Sequence, residues 1–389
     1  MRVLGIQIAY GFSSEVQVFT RMLGNRAGRY DATVIAHEWN GDRETARRIE
    51  EGAGASVHRM DLGWRPNRGE RRPTTDKMLS WARLGLALPA VIAKVRQLAP
   101  DVIYSSQQAW DCTLATAVAR ALGKPQVIHL HYVIGPWLRR LPLRRLRTCD
   151  LVITVSRFIG DAARHHGVSE DRIAPVLNPA PAWRPPAPEM VRALRDECGA
   201  DGDRPLVGIV GRISESKGQI ETVRAFAGAV GNSGARLVIV GDGPQRNEVE
   251  QAARALGLRE RVTFTGNRND VPALLAAFDV FVHPSHFDPC PLAVLEAQAA
   301  GLPVVAFAEG GIPEIVAAGE TGLLATPRVQ EELTAALRRL IEDRTLRTGM
   351  GEAATRRTRT HFTAERQGAR FAEVLLSHFG GAGATHRPA

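Results

Sequence analysis

The chain has 389 residues, a length that fits two domains of ordinary size. Its 44% hydrophobic and 23% charged residues read as globular and exclude disorder over most of the length; no uncharged apolar run reaches the roughly 18 residues of a membrane span. The net charge of +9 is lopsided, with 26 Lys/Arg against 16 Asp/Glu in residues 1–180 and 24 against 25 in the remainder.

In chain order, Val3 to Ala9 reads as a buried strand rather than a signal peptide, because the apolar run is short and leads into Gly11-Phe-Ser-Ser14. Helix is expected over Glu15–Leu23, Arg43–Gly52, Ser80–Leu98 and Thr113–Leu122, and strand over Ala32–Ala36, Asp101–Ser105, Pro125–Leu130 and Asp150–Val155. Ser156 is placed to cap a helix starting at Arg157. Asn178 to Pro188 holds five prolines and is the natural linker. The alternation then restarts. Strands are expected at Leu206–Val210, Arg236–Val240, Val262–Phe264, Val280–His283 and Val304–Ala308, with helices at Gln219–Val230, Glu248–Leu256, Val271–Phe278 and Leu292–Ala300. A helix pair from about Glu331 to Arg359, a terminal helix from Ala364 to Phe379 and a frayed tail complete the chain.

Such alternation predicts an α/β fold of two facing Rossmann-like, doubly wound domains with a cleft between them. The expected division is residues 1–178, a Pro-rich linker at 179–204, a second domain at 205–360, a returning helix at 361–379 and a tail at 380–389.

Two segments carry the chemistry. Val210-Gly211-Arg212 with Lys217-Gly218 puts two cations on a glycine-containing loop between a strand and a helix. Gly211 lets backbone approach a phosphate, Arg212 can fork onto two oxygens, and Lys217 supplies a point charge. Lys is rare here, at four of fifty cations (Lys77, Lys94, Lys124 and Lys217), so a lysine in this loop is informative. Asp288 and Glu296 stand eight residues apart around the start of a helix, with Pro291 fitting its first position. Together the segments read as a grip on a sugar nucleotide, cations on the diphosphate and carboxylates on the sugar and ribose hydroxyls.

His131 ends a strand and is expected to reach the cleft and bond a donor-sugar hydroxyl near the leaving group, with His129 facing the other way. Gly310-Gly311 are expected to turn backbone N–H groups toward the sugar or phosphates, ahead of Glu314 near a helix start. The run from Trp137 to Arg147 holds five arginines among leucines and reads best as a solvated amphipathic segment, with an anionic acceptor or membrane surface as the alternative. Trp64 to Arg72 is similarly basic and is expected to be a mobile loop. Cys112, Cys149, Cys198 and Cys290 have neither metal nor disulfide spacing, so no metal is expected and a reduced cytoplasmic setting fits. Nucleic acid is excluded as a partner by the lack of a binding motif.

These motifs resemble those of the family 4 retaining glycosyltransferases of the GT-B fold, within the glycogen-synthase and mannosyltransferase-like superfamily. The resemblance covers nearly the whole chain and is strongest over residues 205–325. It implies that Arg212 and Lys217 hold the diphosphate, Asp288 the donor hexose hydroxyls and Glu296 the ribose. His131 falls on the family's cleft histidine, Ser156 on its Val-Ser element and Asn178 on its hinge position. The implied donor-binding set is Glu296, Gly211, Gly266, Pro291, Leu292, Gly310, Gly311 and Gly11, beside the catalytic set Asp288, Arg212, Lys217 and His131. Three departures stand out: Asp288 replaces the usual Glu, Pro291 the usual Gly, and Gly11-Phe-Ser-Ser the usual Gly-Gly loop.

The implied function is transfer of a hexose or N-acetylhexosamine, by default from a UDP-sugar, with retention by front-face attack. The expected acceptor is a hydroxyl of a glycan, a lipid or an aminocyclitol-type secondary metabolite, the last suiting an actinomycete-like, Arg-rich composition. No cofactor beyond the donor is expected, and peripheral contact with the inner membrane face is included. The alternatives are a sugar-nucleotide 2-epimerase and a non-catalytic nucleotide-sugar-binding subunit.

Overall fold

Short runs rich in Val, Ile and Leu form the strands, and among the described residues every pairing of named strands is parallel. Parallel strands are buried on both faces and need helical crossovers, so continuous apolar runs alternate with helices. The computed structural model describes residues 1–8, 13–26, 28–37, 43–62, 74–106, 110–134, 140–200, 202 and 204–381. It divides into two units, Met1–Pro179 with Ala364–Ala389, and Ala180–Thr363.

The first unit contains β1 (Arg2–Gln7), α1 (Ser14–Gly24), β2 (Asp31–His37), α2 (Arg43–Ala53), β3 (Ser56–Met60), α3 (Thr74–Leu98), β4 (Val102–Ser105), α4 (Trp110–Leu122), β5 (Gln126–Leu130), α5 (Arg140–Thr148), β6 (Leu151–Thr154), α6 (Arg157–His165) and β7 (Ile173–Pro175). Its sheet runs β3-β2-β1-β4-β5-β6-β7. Leu4, Ile6, Ile35, Ile103 and Val118 are fully buried against it. Ser156 caps α6, its hydroxyl accepting from the Ile159 N–H at 3.3 Å.

The second unit contains α7 (Pro188–Glu197), β8 (Leu206–Val210), α8 (Gln219–Ala229), β9 (Arg236–Val240), α9 (Arg246–Ala255), β10 (Val262–Gly266), α10 (Val271–Ala277), β11 (Val280–His283), α11 (Leu292–Ala299), β12 (Val304–Phe307), α12 (Ile312–Ile315), β13 (Gly322–Ala325), α13 (Gln330–Glu342) and α14 (Arg344–His361). Its sheet runs β10-β9-β8-β11-β12-β13 around a core that includes Ile209, Phe226, Leu237, Val282 and Phe307. In this order the chain winds outward from β8 to β10 and then returns to the other side of β8, so β8 and β11 are neighbours at a topological switch point. Loops following such strands diverge and leave room for a ligand.

The last helix, α15 (Ala364–Phe379), belongs to the first unit and packs on α1. Gly368 permits the approach, since a Cβ there would stand 2.5 Å from the Asn25 carbonyl oxygen. Phe371 is fully buried and meets the Tyr104 ring edge-on at 5.2 Å.

Three strands escaped the sequence reading: β3, β7 and β13. All are sheet edges, only partly buried, so their side chains lack the continuous apolar run that marks a central strand. Helix α7 was also missed. It begins inside the Pro-rich stretch, where Pro188 opens it at a position that needs no N–H.

Phe371→Ala should cost about 3–5 kcal/mol in urea unfolding, the usual range for emptying a buried aromatic site. A loss below about 1 kcal/mol would mean that α15 does not complete this core.

Candidate active site

Two loops at the β8–β11 switch point are locked together by backbone. After β8, Gly211 takes φ +151°, and its N–H donates to the Val240 carbonyl at 3.0 Å. A short 3₁₀ turn at Glu215–Lys217 leads to Gly218 at φ +74°. A Cβ on Gly218 would lie 2.2 Å from the Pro284 carbonyl oxygen, so only glycine lets this loop rest on the segment after β11. The His286 N–H closes the contact by donating to the Ser216 carbonyl at 2.9 Å.

Asp288 sits where the loops meet and is only 7% exposed. Its Oδ2 accepts from Lys217 Nζ at 2.5 Å, His283 Nε2 at 3.2 Å and Ser285 Oγ at 3.4 Å. Burial alone would push this carboxyl up. The His283 hydrogen bond and the Lys217 charge outweigh it and hold Asp288 well below the usual carboxylate range. Burial keeps His283 neutral despite its carboxylate partner. An ionised carboxylate only accepts, so the His283 proton belongs on Nε2, and its buried Nδ1 has no partner.

The loop after β12 braces the same acid from behind. Gly310 takes φ +65°, and a Cβ there would stand 2.4 Å from the Asp288 carbonyl oxygen. The Gly311 N–H donates to that oxygen at 2.8 Å. In this structure the glycine pair therefore fixes the Asp288 backbone, and the Gly311 amide is not turned toward a ligand as the sequence suggested. His286 Nδ1 and Glu309 Oε2, 2.9 Å apart, form a second link between the loops. His283, Ser285, His286 and Glu309 were not singled out from sequence. The signal was present as a His-Pro-Ser-His run that begins on the last residue of an apolar strand.

Arg212 is exposed, and among the described residues its guanidinium has no ion-pair partner; its carbonyl accepts from Gln219 Nε2 at 3.0 Å. Pro291 proves to be the N-cap of α11, with ψ 117°, so Leu292 rather than Pro291 is the first helical residue. At the N-cap the missing N–H costs no helical hydrogen bond, because the first N–H groups of a helix have no intrahelical partner. Glu296 is half-buried on this helix. Gly266 ends β10 with φ +68°, its carbonyl accepting from the Gly241 N–H at 2.8 Å.

His131 lies in the first unit, just past β5, with its Nε2 buried and unpartnered. The expectation that His129 faces the other way is wrong: the two rings are 4.3 Å apart, because residues i and i+2 of a strand share a face. His129 Nδ1 is hydrogen-bonded to Tyr104 Oη at 2.9 Å. Burial lowers the His131 pKa to about 3 and that of His129 well below normal, so both stay neutral. Nearby at the sheet's C-terminal ends, Ser106 Oγ donates to Gln7 Oε1 at 2.9 Å. Asp111, 1% exposed at the start of α4, is pushed up to about 7 by burial. None of these three was foreseen. Gly11 and the Trp64–Arg72 stretch lie outside the described residues. Among the described residues no cluster of His, Cys, Asp or Glu could hold a metal, and no helix is long and apolar enough to cross a membrane.

The family model for glycosyl transferases group 1 matches residues 191–357, and that for glycosyltransferase family 4 matches residues 16–182. A Mycobacterium tuberculosis GDP-mannose-dependent alpha-(1-6)-phosphatidylinositol monomannoside mannosyltransferase is 30% identical over 86% of each chain. The chain belongs to the family 4 glycosyltransferases. A second member, the 2-deoxystreptamine N-acetyl-D-glucosaminyltransferase of Streptomyces fradiae, is 32% identical over 63% of this chain; the match spans 64% of that relative's length. Among solved structures, Anabaena Alr3699/HepE in complex with UDP and glucose is similar with a TM-score of 0.75 and 25% identity, covering 97% of this chain and 100% of that one. The shared architecture is GT-B, two parallel-sheet α/β domains.

The three buried neutral histidines give this glycosyltransferase a defined acid response. Their folded pKa values lie below the unfolded value of about 6.5, so the unfolded chain protonates first as pH falls. The contribution of His129, His131 and His283 to stability should be full above pH about 6.5 and decline below it, against an opposite and smaller contribution from the raised Asp111 carboxyl, and His131→Asn should flatten the decline by about 1.4 kcal/mol per pH unit. Urea unfolding between neutral pH and the mid-acid range measures this; an unchanged slope in the variant would show that His131 is not held neutral.

Proposed function

We propose that the protein transfers a hexose or N-acetylhexosamine from a nucleoside diphosphate sugar, preferably UDP-linked, to an acceptor hydroxyl with retention at the anomeric carbon. The observation that carries this reading is the Lys217–Asp288 pair at the β8–β11 switch point, with the unpaired Arg212 guanidinium on the same loop. Lys217 uses one of its three N–H donors on Asp288. Two remain for a phosphate oxygen, so one ammonium can serve the donor sugar's acid and its leaving group together. Arg212 adds a forked cation for the charge that develops on the departing diphosphate.

Asp288, ionised and held by its backbone, is assigned to the donor hexose hydroxyls, and Glu296 to the ribose. His131 is assigned a sugar hydroxyl; its unpartnered Nε2 and uncharged ring suit a dipolar contact rather than proton transfer as an imidazolium. No side chain is assigned as a covalent nucleophile. The leaving phosphate oxygen takes the acceptor proton in a front-face displacement.

UDP is favoured by the likeness to the HepE complex with UDP and glucose, although the M. tuberculosis relative is named for GDP-mannose. A cyclitol-bearing acceptor is favoured because one relative is named for 2-deoxystreptamine and the other for a phosphatidylinositol mannoside.

A thermal-shift panel of UDP-, GDP-, ADP- and dTDP-sugars, followed by turnover with the best donor, tests this. UDP-sugars should raise the melting temperature most. Lys217→Ala should lose that shift and lower kcat/KM by about 100-fold or more, the loss expected on removing a donor to developing charge. Unchanged turnover in Lys217→Ala, or epimerisation of the donor without an acceptor, would overturn the reading.

A further inference from the structure

Strand β11 reads Val-Phe-Val-His, three apolar residues followed by a buried histidine, His283. Packing alone would be served as well by another valine. The histidine instead leaves its Nδ1 buried without a partner, a cost that an apolar side chain would avoid. What it supplies in return is the Nε2–H, which donates to Asp288 Oδ2 at 3.2 Å. The ring that carries this donor is held firmly. It belongs to a central strand and stacks on Phe281, with centroids 6.1 Å apart and 14° between the planes.

The direction of that bond matters because the Asp288 carboxylate has two oxygens and the fold treats them differently. Lys217, His283 and Ser285 all donate to Oδ2, at 2.5, 3.2 and 3.4 Å. Among the described residues none donates to Oδ1. Nor is Oδ1 among the sealed, unpartnered polar atoms of the fold, so it is the carboxylate oxygen still open to a ligand. The terminal torsion of an aspartate is broad and roughly two-fold, so the carboxylate can present either oxygen at little cost. Lys217 does not decide between them, because an ammonium on a flexible stem follows whichever oxygen turns toward it. A second donor on a fixed ring removes the ambiguity. It commits Oδ2 to the protein and turns Oδ1 outward. It also keeps Lys217 from spanning both oxygens, which leaves the remaining ammonium N–H groups for a phosphate.

We propose that His283 is a positioning residue: its Nε2–H fixes the rotation of the Asp288 carboxylate, so that Oδ1 is the atom offered to the hydroxyls of the donor sugar. The inference rests on the assignment of Asp288 to the donor sugar.

Calorimetric titration of the full-length protein with UDP-glucose and with UDP separates the sugar contact from the nucleotide contact. GDP-mannose and GDP replace them if the thermal-shift panel favours guanine. His283→Ala should weaken UDP-glucose binding about ten-fold or more, the loss expected for a hydrogen bond to a charged group, and leave UDP binding within about two-fold. Retained UDP binding verifies the fold. His283→Gln, whose amide nitrogen can reach the Nε2 position, should recover most of the loss. His283→Asn, whose amide reaches only the Nδ1 position, should not, and kcat/KM for transfer should follow the same order. Unchanged UDP-glucose binding in His283→Ala overturns the proposal, as does equal weakening of UDP and UDP-glucose. Equal binding by the Gln and Asn variants also overturns it, and that comparison decides alone if His283→Ala does not fold. Lys217→Ala separates the two levels of failure. If it keeps full affinity for both ligands, the donor-site reading falls and this inference with it; if it loses both while His283→Ala loses neither, only the role of His283 falls.

Discussion

A carboxylate taken out of water must find its compensation within the fold, and Asp288 shows what that demands. Leaving such a charge buried without its partner costs about 3–5 kcal/mol. Lys217, His283 and Ser285 all reach the same oxygen, yet Lys217 arrives from a loop 71 residues away. That convergence requires β8 and β11 to be neighbours, which follows from the reversal of strand order. It also requires backbones to touch where a side chain would intrude, at Gly218 against Pro284 and at Gly310 against Asp288. Strand order, the two glycines and the ion pair are thus one constraint expressed at three levels.

The two units repeat an architecture and differ in electrostatics. In the second, the switch point holds formal charges in a tight pair beside the exposed Arg212. In the first, the corresponding sheet ends hold neutral polar groups: His129 and His131 uncharged by burial, and Asp111 poised near neutrality. Among the described residues, Arg120 and Arg144 of the first half lie on the helical layer, near the exposed arc of α3.

The central strands were legible because burial on both faces demands unbroken apolar runs. Their edges were not: β3, β7 and β13 carry mixed sequences that only a neighbouring strand turns into sheet. The site residues were legible by type and spacing, since Lys217 stands out in an arginine-biased chain and Asp288 and Glu296 bracket a helix start. Their relationships were another matter. That Gly311 spends its amide on Asp288, or that His283 shares its oxygen with Lys217, depends on contacts between loops of three different strands. The side-by-side histidines were readable from strand periodicity alone, and the misreading of His129 was an error of period rather than missing information.

Sequence by itself determined the strand–helix alternation, the second switch-point loop's cations and acids, and the lopsided charge, because these depend on local composition and spacing. Tertiary structure alone decided which cation meets which acid, which histidines lose their charge, and where arginines stay unpaired. Those outcomes depend on desolvation and on distances between residues far apart in the chain, and neither quantity is carried by any single stretch of residues.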